Sequence, residues 1–391
     1  MSAPEQHAVL SASSAHRWIH CPPSARLCET LPESPSAYAE EGRLAHAVAE
    51  LKLRKQWVEP MSARKYNGRL KKLQEHALYS DEMLRHADTY VDYISSVVHG
   101  YETTPYVAAE QRLNFGAYVP EGFGTGDCIV LAGKDLHVID YKYGKGVPVC
   151  AEGNPQTRLY GLGAALRYSL LSRVETVHMT IVQPRLDSIS TETLSLDALR
   201  DWGENIAPVA QLAYDGKGDF TAGDWCRFCR AKGQCAARAA AYLDVGAQYQ
   251  RSDPRLLAPQ ELADLLGRLE GLVKWADDVR AYALTACLEG REVPGYKAVA
   301  GRSVRRFIDP DKALQRLMDH GYDEAMLYER RPLSLAALEK IVGKNDFASL
   351  MADLIESPPG KPTLVPASDK REPFATTKIH EVFGGIEDGN E

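Results

Sequence analysis

Residues 127–143, DCIVLAGKDLHVIDYKY, constrain the fold more than any other stretch. DCIVLAG (127–133) and KDLHVIDYKY (134–143) read as the two strands of a hairpin turning near Gly133 and Lys134. Alternation from Leu136 through Lys142 puts Asp140 and Lys142 on one face. A carboxylate and an ammonium spaced this way can converge on a single phosphate. Asp127 opens the partner strand after Gly124-Thr125-Gly126, glycines expected to let the backbone pass close to a ligand. Two carboxylates from neighbouring strands suit a hard divalent cation such as Mg2+ or Mn2+. That cation would lower the pKa of a water and neutralise charge on the phosphate. Lys142 would orient the water or stabilise the pentacovalent state.

The flanking segments extend the pattern. YVAAEQRLNF, starting near 106, reads as a preceding strand that carries Glu110. Asn154-Pro155 supplies a cap and a proline at the first helical position, opening a helix to about 170. TVHMTIVQP (176–184) is a further strand, and 196–213 a helix. Upstream, 11–20, 37–57 and 81–98 read as helices, with Leu44, Val48 and Leu51 on one face of the second. Helix, three strands, helix, strand predicts an α/β core with a mixed sheet flanked by helices. A long amphipathic helix at 259–288 follows a polar linker around 248–257. The expected organisation is a domain over 8–240, a helical or α+β accessory region over 258–356, and an extended or flexible tail over 357–391.

The chain of 391 residues has a net charge of −7, which argues against a wholly basic nucleic-acid binder. Phosphate contact needs only a local basic surface. Candidate surfaces are Arg64, Lys65, Arg69, Lys71 and Lys72, and later Arg302, Arg305 and Arg306, with Tyr296 and Lys297 nearby. No run of 18 apolar residues occurs and the first residues lack the layout of a signal peptide, so the expected location is the cytoplasm, with no membrane partner.

His46 sits in GRLAH on the helix at 37–57, with Glu50 one turn on, while Gln156 and Tyr160 share a face of the helix after the hairpin. A histidine helix, Gly-x-Asp, Asp-x-Lys and then Gln-x-x-x-Tyr resembles the RecB-type branch of the PD-(D/E)XK nucleases, whose core is restriction-endonuclease-like. The resemblance implies metal ligation by His46, Asp127, Asp140 and the Tyr141 backbone carbonyl. It also implies that Lys142 is the catalytic lysine and that Gln156 and Tyr160 support the site or contact DNA. The acidic residue of the Asp-x-Lys pair is Asp here rather than the commoner Glu.

Eight cysteines are present, three of them as Cys226, Cys229 and Cys235 in C-x2-C-x5-C spacing. Three thiolates do not close a tetrahedral site or a cubane, so a fourth ligand must come from elsewhere. Cys21 is the first candidate and Cys28 the alternative. A distant N-terminal cysteine with a C-terminal trio resembles the iron–sulfur nucleases of the same branch, the AddB-type recombination nucleases and the CRISPR-associated adaptation exonucleases. That implies a structural 4Fe–4S cluster on Cys21, Cys226, Cys229 and Cys235, clasping the two ends of the nuclease domain. Structural Zn2+ on the same four residues is the competing reading. Cys128, Cys150 and Cys287 are expected to be buried small apolar residues.

The whole chain also resembles a phage and prophage protein family of this superfamily, in which stretches like VIDYKYGKG and GFGTGD recur. The expected function is a metal-dependent deoxyribonuclease, read as an exonuclease on DNA ends or single strands in phage recombination, replication or DNA processing. A recombination or replication protein would be its partner. The alternative is a non-catalytic DNA-binding recombination accessory protein that retains the fold; the intact Asp127, Asp140 and Lys142 argue against it.

Overall fold

The computed structural model describes residues 8–32, 37–248, 257–299, 308–321, 323–327, 334–351 and 354–355. Two compact units divide the chain at Val299 and Ala300. The first is built on a sheet of five strands in the order β1 (Tyr106–Asn114), β2 (Phe123–Ala132), β3 (Asp135–Tyr141), β4 (Thr176–Gln183) and β5 (Ser188–Ser195). β1–β2, β2–β3 and β4–β5 are antiparallel and β3–β4 parallel, so the sheet is mixed. The β2–β3 hairpin turns at Gly133, whose φ of +58° only glycine adopts cheaply.

Helices cover both faces. In chain order they are α1 (Ala15–His20), α2 (Ser24–Glu29), α3 (Ala37–Leu53), α4 (Ala63–Gln74), α5 (Asp81–His99), α6 (Pro155–Tyr168), α7 (Leu196–Asp215), α8 (Ala236–Gln248) and α9 (Pro259–Leu288). The parallel β3–β4 step requires a crossover, and α6 supplies it. On its side of the sheet, Leu159 and Leu162 of α6 pack with Ile129, Val138, Val177, Trp18 of α1 and Leu199 of α7. On the opposite side, Leu44 and Val48 of α3 and Tyr90 and Ile94 of α5 pack with Val130, Ile139 and Val182. The result is an α/β/α layering.

Several elements differ from the sequence reading. The helix expected over 37–57 is α to Leu53 and then one π turn over Arg54–Val58. α2 and α4 carry no expectation from sequence. β5, SISTETLS, is an edge strand whose polar residues give no core-facing pattern; pairing along β4 holds it in place. The long helix, set apart at 258 by its linker, belongs with the first unit. Asp278 of α9 reaches Lys232 Nζ at 3.0 Å and Arg238 Nη1 at 2.7 Å beside the cysteine trio.

Within the second unit, the described residues form α10 (Pro310–Asp319), α11 (Glu324–Leu327), α12 (Leu335–Val342) and α13 (Lys344–Leu350). Arg302, Arg305, Arg306 and the tail over 357–391 lie outside the described residues, as does most of the linker at 248–257. No helix among the described residues is long and apolar enough to cross a membrane.

Candidate metal centre

Asp127 lies where β1, β2 and β3 part. The β1–β2 ladder runs from Tyr106–Leu131 to Asn114–Phe123 and skips Glu110 and Asp127, which stand opposite each other. Glu110 has a φ of +50°, a left-handed backbone that a side chain with a Cβ resists. Around this break the strand changes face. Val107 and Ala109 pack with the α3–α5 layer, whereas Leu113 packs with the α6 layer. The β2–β3 pairing runs from Ala132–Asp135 to Cys128–Ile139, and beyond it Asp127 Oδ2 accepts the Tyr141 N–H at 2.7 Å. The carboxylate thus takes the place of a ladder carbonyl, which fixes its direction.

α3 delivers His46 to the same place. His46 Nδ1 lies 3.3 Å from Asp127 Oδ1, with the histidine side chain 34% exposed and the aspartate 14%. The Tyr141 ring stands edge-on to the imidazole, centroids 5.3 Å apart. One donor atom each from His46, Glu110 and Asp127 lies within 4.8 Å of the other two, which makes them a candidate metal-binding triad. One nitrogen and two carboxylates are a donor set for a divalent cation. Of the expected ligands His46, Asp127, Asp140 and the Tyr141 carbonyl, the close group holds His46 and Asp127, and it adds Glu110, while Asp140 is not in it. Glu110 had no assigned role; the signal for it was its register opposite Asp127 in a three-strand meander.

Asp140 is drawn aside by its own partners. Lys142 Nζ lies 3.0 Å from Asp140 Oδ2, and Gln156 Nε2 donates to Asp140 Oδ1 at 3.1 Å. Lys142 Nζ also donates to Gln156 Oε1 at 3.0 Å, and Gln156 Nε2 reaches Tyr160 OH at 3.4 Å. The expected quartet of Asp140, Lys142, Gln156 and Tyr160 is therefore one connected web. Asp140 is only 3% exposed, and its Oδ2 has the lysine as an ion-pair neighbour but no partner of hydrogen-bond geometry. A buried carboxylate oxygen left this way has acceptor capacity for a further cation or donor.

Gln156 is placed by local chemistry. Asn154 caps α6 by accepting the N–H groups of Gln156 and Thr157, with Pro155 first in the helix. The preceding loop is pinned to β4 and β5. Gln183 Nε2 donates to the carbonyls of Gly144 and Val147, and Glu192 accepts the Gly153 N–H while pairing bidentately with Arg158. Gly124 and Gly126 do not leave room for a ligand, as the sequence suggested. A Cβ at Gly124 would stand 2.7 Å from Tyr160 Cε1, and one at Gly126 2.9 Å from Leu113 Cδ1. The glycines let Tyr160 and Leu113 close over β2.

Charge is unevenly shared across the site. Burial alone would lower the His46 pKa, but the facing Asp127 overrides it and pushes the imidazole up to about 9. Burial likewise opposes ionisation of Asp127, yet His46 and the Tyr141 N–H hold it below the usual carboxylate range. Burial, then Asp127 and Glu50, push Glu110 up to about 8. Burial raises Asp140 despite the pull of Lys142. Burial disfavours charge on Lys142 as well, but Asp140 and Asp127 raise it, so the ammonium stays charged.

The cysteine segment closes the first unit on itself. Trp225 stacks on His20 with centroids 4.5 Å apart, the Thr221 hydroxyl donates to the His20 carbonyl, and Arg26 Nε donates to Tyr214 O at 2.6 Å. Cys21, Cys226, Cys229 and Cys235 line one cavity together with Arg17. No three thiolates among the described residues come within 4.8 Å of one another, the spacing a single ion needs. Cys28 lies 3.7 Å from Cys229 and receives a 3.1 Å contact from Arg17 Nη1. The hydrogen bond with Cys229, aided by Arg17 and opposed by burial, pulls Cys28 down to about 5, while Cys229 is pushed up. Cys128 is buried as expected, but Cys150 is exposed and Cys287 half-buried, against expectation. Cys150 sits in the polar loop before α6 rather than in a packed layer.

A solved protein, SSO0001, is similar over 49% of this chain and 85% of that one, at 18% identity and a TM-score of 0.23. Likeness at that level supports no inference about site or activity. A family model described as "Protein of unknown function (DUF2800)" matches residues 7–372. The chain belongs to that family.

Proposed function

We propose that this protein is a metal-dependent deoxyribonuclease of the PD-(D/E)XK type, hydrolysing phosphodiester bonds as an exonuclease on DNA ends or single strands. One observation carries the reading: a charged Lys142, braced by Asp140 and Gln156, stands beside the His46, Glu110 and Asp127 triad. Mg2+ or Mn2+ held by that triad, with Asp140 adjoining it, would supply Lewis-acid neutralisation of phosphate charge. Lys142 Nζ, held charged, then stabilises the developing negative charge on the phosphate. Gln156 keeps Lys142 and Asp140 in register, and Tyr160 limits the swing of Gln156. The proposed setting is DNA processing in a bacterial or phage-infected cytoplasm.

The test is incubation of end-labelled single- and double-stranded DNA with Mn2+. Lys142→Ala should lower cleavage at least about 100-fold while DNA binding persists. Undiminished cleavage would remove the catalytic assignment.

The second part of the reading is a 4Fe–4S cluster on Cys21, Cys226, Cys229 and Cys235, supported by their shared cavity. A tetrahedral zinc would draw its thiolates to about 3.8 Å of one another. Anaerobic purification should give a coloured, iron-containing protein that Cys21→Ser bleaches and Cys28→Ser leaves coloured. The reverse pattern moves the fourth ligand to Cys28, and a colourless zinc protein rejects the cluster.

A further inference from the structure

Helix α4 carries Arg64, Lys65, Arg69, Lys71 and Lys72 and no acidic residue between its ends. Its Tyr66, Leu70 and Leu73 are half-buried, whereas all five cations are exposed. At 3.6 residues per turn the cations occupy an arc of roughly 160°, opposite the apolar three. Gly68 falls near the middle of that arc, and a Cβ there would meet nothing within 4 Å. Packing therefore does not require this glycine, and its effect is to bare the helix backbone at the centre of the basic face.

The helix lies along α3, the element that carries His46. At one end the Lys55 ammonium sits 4.0 Å over the Tyr66 ring. At the other, His76 Nε2 stands 3.4 Å from Glu40 Oε1. His46 lies between Glu40 and Lys55 in the chain, so α4 packs along the helix that carries the triad's histidine, with its basic face turned to the solvent. Lys65 and Arg69, and Arg69 and Lys72, are same-sign neighbours at helical spacing, which disfavours the helix unless an anion offsets them. Arg69 reaches Glu59 at 3.4 Å; the other four form no ion pair among the described residues. The chain as a whole is negative at −7, so its average field repels a polyanion and attraction has to be local.

We propose that the exposed face of α4 binds the phosphodiester backbone of the DNA that is cleaved at the neighbouring metal triad. This rests on the nuclease reading above. The phosphates lie across Gly68 and are held by Arg64, Lys65, Lys71 and Lys72, so α4 contributes affinity without reading sequence.

The experiment is a salt titration of binding by fluorescence anisotropy, using labelled single-stranded and duplex oligonucleotides. The full chain carries Lys142→Ala so that the DNA survives, with and without Arg64, Lys65, Lys71 and Lys72 replaced by Gln. The replaced chain should bind at least tenfold more weakly at low salt. The slope of log K against log salt should fall by about 0.7 per lost contact on single strands, or about 0.9 on duplex. Arginine in place of the three lysines should keep both affinity and slope. Equal affinity and slope in the glutamine variant would overturn the α4 assignment while leaving the nuclease reading intact. A Lys142→Ala parent that binds no DNA would overturn the α4 assignment, whereas cleavage by the unsubstituted chain tests the nuclease reading separately.

Discussion

Glu110 and Asp127 face each other across β1 and β2 at a position that the ladder of pairs skips. Glu110 takes a left-handed backbone there, and the side chains of β1 change face across it. Two carboxylates are brought together where regular pairing would have kept the backbone occupied. Such an arrangement is unfavourable in the absence of a cation, and this gives it measurable consequences.

Removing the Glu110 charge should strengthen the fold and weaken the metal site together. Burial and Asp127 raise its folded pKa from 4.5 to about 8. The folded state thus holds the proton over a range where the unfolded chain has lost it, so stability falls as pH rises through that window. Glu110→Gln should flatten this decline and raise the metal-free melting temperature at pH 8. Its Mn2+ affinity should drop at least about tenfold by titration calorimetry, as for loss of a ligand-shell residue. An unchanged affinity would remove Glu110 from the ligand set.

Metal binding should release protons. His46, raised to about 9, and Glu110, raised to about 8, both hold protons at neutral pH in the metal-free protein. A cation must displace them. Mn2+ affinity should therefore climb between pH 7 and 9 by one to two decades per unit, about one per displaced proton. Calorimetry in two buffers of different ionisation enthalpy counts the protons directly, and a count of zero contradicts the triad.

Gly124 should tolerate no side chain while Tyr160 is present. A Cβ would stand 2.7 Å from Tyr160 Cε1, on a ring that α6 holds in the core. Gly124→Ala should destabilise by about 1–3 kcal/mol and slacken the Gln156 web. In the Tyr160→Leu background the same substitution should be nearly neutral. Additive effects in that double-mutant cycle would mean the contact carries no weight.

Acid should act through β3 and β4, far along the strands from the metal triad. His137 is 8% exposed, stacks on His178 with centroids 4.4 Å apart, and shares a 2.7 Å hydrogen bond with Tyr101 OH. Burial and His178 lower its pKa from 6.5 to about 4. The unfolded chain binds the proton first, so stability is lost as pH falls from about 6.5 towards 4, by roughly 3 kcal/mol at most. His137→Gln should remove that acid-side slope in denaturant titrations.

What was legible in the sequence was what neighbouring residues decide among themselves. Strand alternation places Asp140 and Lys142 side by side, and the Asn154-Pro155 cap starts α6 with Gln156 aimed at them. Glu110 was not legible as a ligand, because its role depends on one left-handed backbone angle and on an imidazole brought from α3. Gly124 carried a visible signal with the wrong cause attached: the close neighbour is a tyrosine ring from a later helix. β5 was invisible because an edge strand needs no apolar alternation when its partner supplies the pairing. α4 showed its charges but not its place, since only the packed structure sets it along α3.

The stacking of His20 on Trp225 sets a schedule for synthesis. Thr221 bonds to the His20 carbonyl across 201 residues of sequence, so the first helices leave the ribosome long before their partners exist. At roughly 5–20 residues per second the wait is about 10–40 s. During that interval Trp18 and Leu10, both fully covered in the finished protein, are open to chaperones and proteases. A message truncated before Asp215 should therefore yield a product that is cleared rather than a smaller folded protein.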